Sequence, residues 1–256
     1  NDRMITQNEY PRLAFCSSLT PATPEYYEKL RKAGINAVSI CMHVSGHEYF
    51  KYAVIHTNLA RKANLTTHAY MITDLYDPIS DVTTLTKRLT KLGYGATTKV
   101  TILVNSDKYV KDRESKIVQI MDLMSNYHDR SCIDLAFFKR DLDDKLYDLD
   151  KLPRMINLTI INCTPGASSP GINVAGTWIY KAELENDVEV LAYDFYGYYT
   201  DDGYQLSLVD TEYVAQPGDS WYSISRRHGI PINDLLVLNR AMHTDRIYAG
   251  QVVRIA

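Results

Sequence analysis

The chain has 256 residues, enough for one large domain plus a small one, and its net charge of -3 gives no electrostatic case for nucleic acid or an anionic membrane. No apolar run reaches the length of a membrane span. Tyrosine is the outlier, 20 against 5 Phe and 2 Trp, an excess that suits carbohydrate faces or protein interfaces and equally suits half-buried positions where Tyr replaces Phe.

Residues 1–11 are polar and read as an N-terminal arm. Apolar, β-rich runs then recur at 13–16, 37–42, 66–72, 99–105, 133–138, 157–162, 177–182 and 189–196. Helical periodicity fills the gaps between the first of them, at 23–33, 47–63, 79–92 and 112–127, with a weaker case at 141–152. Thr23-Pro24-Glu25 is a helix-start signal and Gly34 a stop. After the sixth strand the helices run out, and 163–176 is rich in Pro, Gly, Ser and Thr. Strands alternating with helices imply a parallel sheet with right-handed crossovers, and eight of them imply closure. A regular eightfold α/β barrel takes roughly 250 residues. The stretch 12–210 is shorter, which a barrel with helices only in its first part accommodates.

The last 45 residues have a different rhythm. A short strand at 212–215 leads to the turn Gln216-Pro217-Gly218-Asp219-Ser220. Trp221, Ile224 and His228 then recur at helical spacing until Gly229. A second helix follows Pro231, with Asn233 or Asp234 expected as its cap, and a strand at 251–255 closes a βααβ unit. This layout resembles a LysM module, carried by Tyr213-Val214, Pro217-Gly218-Asp219-Ser220, Ile224, His228-Gly229, Leu235, Asn239, Ile247, Gly250-Gln251 and Val253-Arg254-Ile255. The resemblance implies that residues 211–256 hold peptidoglycan or another N-acetylated glycan, between Gly218, Asp219, Ser220 and Trp221 on one side and Arg240, Ala241, Met242 and Ile247 on the other.

The first part resembles family 25 glycoside hydrolases, the Chalaropsis-type lysozymes, in several segments. Leu13-Ala14-Phe15-Cys16-Ser17-Ser18 stands where that family ends its first strand in Asp-Val-Ser, and residues 27–42 resemble its second unit. Residues 58–70 resemble the third unit, 101–107 the strand ending in Asp-x-Glu, and 191–210 the closing segment. The implied fold is α/β: an irregular TIM-like (β/α)5β3 barrel followed by the small α+β LysM domain.

Glycoside hydrolysis needs a proton donor and a second carboxylate or its equivalent. In a β/α barrel these groups belong at the C-terminal ends of strands. Cys16 or Ser17 stands at the first acid position, and Asn105-Ser106-Asp107 replaces Asp-x-Glu, with a shorter carboxylate at the end. Asp210 alone keeps the family's residue type. Asp74, Asp77, Asp141 and Asp194 lie near strand ends; Asp194, in Tyr193-Asp194-Phe195-Tyr196, is the best placed of these for a raised pKa. The catalytic candidates are therefore Asp107, Asp194 and Asp210, and a barrel that has lost catalysis is the expectation. Two alternatives stay open: an active muramidase with relocated acids, Asp107 with Asp194, and a structural phage tail or baseplate component using both domains for protein contacts.

His43 and His47 read as loop residues, and His68 as a hydrogen-bonded core residue. Cys16, Cys41, Cys132 and Cys163 show no CxxC and no metal-ligand spacing, so free thiols, no metal and no cofactor are expected. With no signal peptide legible at residues 1–4, the protein is expected to be made in the cytoplasm and to reside on a virion, outside the cell or in the wall, with virion or cell-surface proteins as further partners.

Overall fold

In the computed structural model, which describes residues 10–153, 156–172, 175–185, 188–195, 197–201 and 212–255, eight strands form a closed barrel. The order is β1 (Arg12–Cys16), α1 (Pro24–Lys32), β2 (Ala37–Val44), α2 (Phe50–Lys62), β3 (Thr66–Thr73), α3 (Pro78–Lys91) and β4 (Val100–Val104). Next come α4 (Arg113–Met124), β5 (Ile133–Phe138), α5 (Lys139–Asp143), β6 (Leu158–Ile161), β7 (Thr177–Glu183) and β8 (Glu189–Asp194). Strands β1 to β7 run parallel, whereas β8 runs antiparallel to both β7 and β1. This is the expected (β/α)5β3 order.

The sequence builds these elements by local rules. Thr23 and Asp77 cap α1 and α3 through their side chains, each followed by Pro at the first helical position, where a missing N–H costs nothing. Strand alternation sorts side chains into two cores. Ala14, Cys16, Val38, Ile40 and Met42 pack outward on Tyr27, Leu30, Ala53 and Leu85 of the helices. Leu13, Phe15, Cys41, Tyr70, Ile179 and Ala192 point into the barrel, where Tyr198 and Tyr199 join them.

Several expectations change in detail. The helix expected at 141–152 is the short α5, which ends before Lys145 in the left-handed region, and a single 3-10 turn follows at Leu149–Lys151. His43 is not a loop residue. A bulge after Cys41 turns it outward from β2, where it is buried with Nε2 2.7 Å from Asp81 Oδ1. Asp81 also accepts the hydroxyls of Ser45 and Thr73, so α3 is clamped to the ends of β2 and β3. His68 is buried as expected, its Nε2 on the carbonyl of Tyr199 at 2.8 Å. All four cysteines are unpaired, with Cys16, Cys41 and Cys132 buried. Residues 1–9 of the expected arm lie outside the described residues, and Tyr10 at its end is buried among Trp178, Tyr193 and Phe195.

The tail is a separate βααβ unit: β9 (Glu212–Val214), α6 (Trp221–His228), α7 (Ile232–Leu238) and β10 (Val252–Arg254), with β9 and β10 antiparallel. Ala215, Trp221, Ile224, Leu235, Leu236, Val253 and Ile255 form its core. A reciprocal Ser220–Ser223 capping box starts α6, and left-handed Gly229 ends it. The second helix starts earlier than expected. Its cap is Pro231, whose φ of -52° is set by its ring, and Asn233 and Asp234 lie inside the helix. The boundary drawn at 210/211 falls outside the described residues.

Candidate functional site

The barrel's C-terminal mouth opens between the ends of β1 to β6. Its inner surface is aromatic and aliphatic: Tyr49, Ile72, Ile161 and Cys163 lie against the inner core. The Tyr49 hydroxyl accepts the N–H of Ser18, just past β1. Cys16 does not face this mouth. It points outward into the helix layer, where burial pushes its thiol up to about 12.

The carboxylates on the rim are mostly engaged in their own turns. Asp107, three residues past β4 and exposed, accepts the N–H of Tyr109 at 2.9 Å. Asp74 does the same for Tyr76 at 3.0 Å, and Asp77 caps α3 through Ser80 N at 3.1 Å. Such Asx turns fix loops. Asp141 differs: it is half-buried at the start of α5, and burial raises its pKa against the pull of Arg140, 3.8 Å away. Ser106 and Tyr147 share a hydrogen bond beside it.

Asp194 is at the other end of the barrel. Because β8 is antiparallel, its last residue lies beside Pro11, ahead of β1, with Asp194 N on Pro11 O at 2.9 Å. The structure therefore separates Asp107 and Asp194 instead of pairing them across one groove. Asp210 lies outside the described residues. The most perturbed of the described acids, Asp134 in β5, carries only a faint sequence signal, a lone charge within Ile-Asp-Leu-Ala-Phe-Phe.

In the tail, the two loops expected to hold glycan are adjacent, because Trp221 Nε1 donates to the carbonyl of Asp245 at 3.0 Å. Trp221 is thereby buried and does not offer a stacking face. Asp219 and Ser220 are also structural. Asp219 accepts the Tyr213 hydroxyl and the Gln216 N–H, and Ser220 caps α6. Gly218 turns the chain at φ +87°, Ile247 packs on the tail core, Ala241 is half-buried, and Arg240 and Met242 are exposed. The exposed aromatic rings at these loops are Tyr222 and Tyr248, with Tyr222 6.2 Å from the His243 ring. Helical spacing with Ile224 is what puts Trp221 in the tail core; its place among the glycan-holding residues came from the LysM resemblance alone.

Arg226 also faces protein. It is buried, and its Nη1 donates to the Leu149 carbonyl of the barrel at 2.9 Å, near Asp150. Among the described residues no group of three or more His, Cys, Asp or Glu is arranged to hold a metal, and no helix is long and apolar enough to cross a membrane.

Residues 213–256 match the LysM domain family. No curated protein matches the chain. Among solved structures, the barrel is similar to the catalytic domain of endolysin ply40 from bacteriophage P40 of Listeria monocytogenes, with 15% identity, a TM-score of 0.57, and 73% of this chain and 94% of that one covered. It is also similar to a family 25 glycosyl hydrolase from Bacillus anthracis, with 14% identity, a TM-score of 0.54 and coverage of 75% and 92%. A third likeness is the modular autolysin LytC from Streptococcus pneumoniae, with 12% identity and a TM-score of 0.60; it covers 74% of this chain but only 48% of LytC. The chain therefore joins a barrel of the family 25 lysozyme fold to a C-terminal LysM domain.

Proposed function

We propose that the protein holds peptidoglycan or a related N-acetylated glycan through its LysM module, and that the barrel is a scaffold that no longer cleaves it. The arrangement of carboxylates carries this reading. Two acids must flank one bond, within roughly 5–10 Å of each other. Here Asp107 and Asp194 lie at opposite mouths, and Asp107 is committed to its own turn. Cys16, at the first family position, points out of the barrel. In this reading Tyr222 and Tyr248 offer exposed rings to sugar faces, beside Arg240 and Met242. The likeness to a phage endolysin domain supports a place in the wall or on a phage particle.

Purified peptidoglycan tests the reading directly. The full chain is expected to sediment with it and to release no new reducing ends, and Tyr222→Ala is expected to weaken retention several-fold. Clearing of the wall by the wild type, lost in Asp107→Asn, would overturn it. A second reading, a muramidase with a relocated acid, rests on Asp141, the rim carboxyl whose pKa burial raises. New reducing ends that vanish in Asp141→Asn would favour it.

A further inference from the structure

The N-terminal mouth of the barrel is closed by its own chain. Residues 197–201 follow β8 and turn inward, and Tyr198 and Tyr199 are fully buried. Two carboxylates without exposed surface grip this plug. Asp194 Oδ2 accepts Tyr199 N at 2.9 Å, Thr200 N at 3.0 Å and Thr200 Oγ1 at 2.8 Å. Asp134 Oδ2 accepts the Tyr199 hydroxyl, and Asn157 Nδ2 and Thr159 Oγ1 lie 3.2 Å from it. Neither Asp134 Oδ1 nor Asp194 Oδ1 has a hydrogen-bond partner among the described residues.

Among the described residues, the surroundings supply no counter-charge in contact with either acid. From β3, His68 donates Nε2–H to Tyr199 O while its Nδ1 accepts Lys99 N at 3.1 Å, so its ring is neutral. Lys99, ahead of β4, holds its ammonium 4.9 Å over the Tyr198 ring and 3.6 Å from Cys132 Sγ. Thr101 of β4 bonds the Tyr199 hydroxyl, and Thr177 of β7 accepts from Asn157. Asp201 is the last residue of the plug segment. Burial pushes Asp134 up to about 7 and Asp194 up to about 6. The outer side of the plug also matters: Gly197, Thr200 and Asp201 line a cavity of about 610 Å³ together with Arg12, Asn36 and Thr66 of the barrel and Tyr213, Gln216 and Arg227 of the LysM module.

We propose that the 197–201 segment is a proton-controlled latch at the seam between barrel and LysM module. With both carboxyls neutral the latch is shut. As the pH rises, each acid releases its proton to solvent, two like charges then share a closed interior, and the plug withdraws so that water reaches them. Its withdrawal removes one wall of the seam.

Amide hydrogen exchange of the full chain tests the latch. Protection of 198–200, corrected for the intrinsic pH dependence of exchange and referenced to β4 and β5, is expected to fall about tenfold or more from pH 5 to pH 8.5. The double variant Asp134→Asn, Asp194→Asn is expected to keep its protection at pH 8.5. Constant protection in the wild type, or an equal fall in the double variant, would sink the proposal. Should the double variant not fold, carboxyl carbon NMR titration of the wild type decides: a midpoint near neutral for Asp134 supports the latch, and midpoints of about 4 for both acids, the ordinary carboxylate value, overturn it.

Discussion

The two mouths of the barrel hold carboxylates in opposite ways. At the C-terminal mouth, Asp74, Asp77 and Asp107 are wholly or partly open to water and tie down the turns in which they sit. At the N-terminal mouth, Asp134 and Asp194 are removed from water and hold a plug of Tyr198, Tyr199 and Thr200. Strongly raised pKa values cluster at functional sites in many enzymes. Here they cluster at the closed end, so the perturbation reports a packed polar network and not an open groove.

The largest way to test this contrast is pH. Asp134 has a folded pKa above its unfolded value, so its contribution is fully present below about pH 4 and is lost as the pH rises through about 7. The Asp134 share of the wild-type loss is expected to be ~4 kcal/mol over that window, measured by urea unfolding, with buried Asp194 adding to it. Asp134→Asn is expected to make the slope shallower. Next in size is Tyr199→Phe, which takes a hydroxyl from Asp134, Thr101 and Thr159. A loss of about 2 kcal/mol is expected, because buried hydrogen-bond partners are left without a donor. Asp77→Ala at the open mouth should cost about 1 kcal/mol through its helix cap. Asp107→Asn should change thermal stability least, within about 0.5 kcal/mol; a larger loss would mean that the open-mouth acids also serve the core.

Periodicity and turn signals located all eight barrel strands and the βααβ tail, because each rests on residues within one element: Thr23-Pro24, Asp77-Pro78, the Ser220 box and Gly229. The site was less legible. Whether Asp194 faces the same mouth as Asp107 depends on the direction of β8, which no local pattern encodes. The burial of Arg226 depends on Leu149, 77 residues away, and the network at Asp134 on Tyr199, 65 residues away. Trp221 was legible as core by spacing, but its tie to Asp245 needs the folded loop.

Strand β8 has one more consequence, for how the chain reaches its fold. Arg12 pairs with Tyr193 and Ala14 with Leu191, so β1 finds one of its two neighbours only after nearly the whole barrel has been synthesised. At ribosomal rates of about 5–20 residues per second, β1 waits on the order of ten seconds with one edge unpaired. Open strand edges template wrong pairings, and closures this distant in sequence are slow. The nascent chain is therefore most exposed to misassembly just before its last barrel strand emerges, and truncation ahead of residue 189 is expected to yield aggregate instead of a smaller barrel.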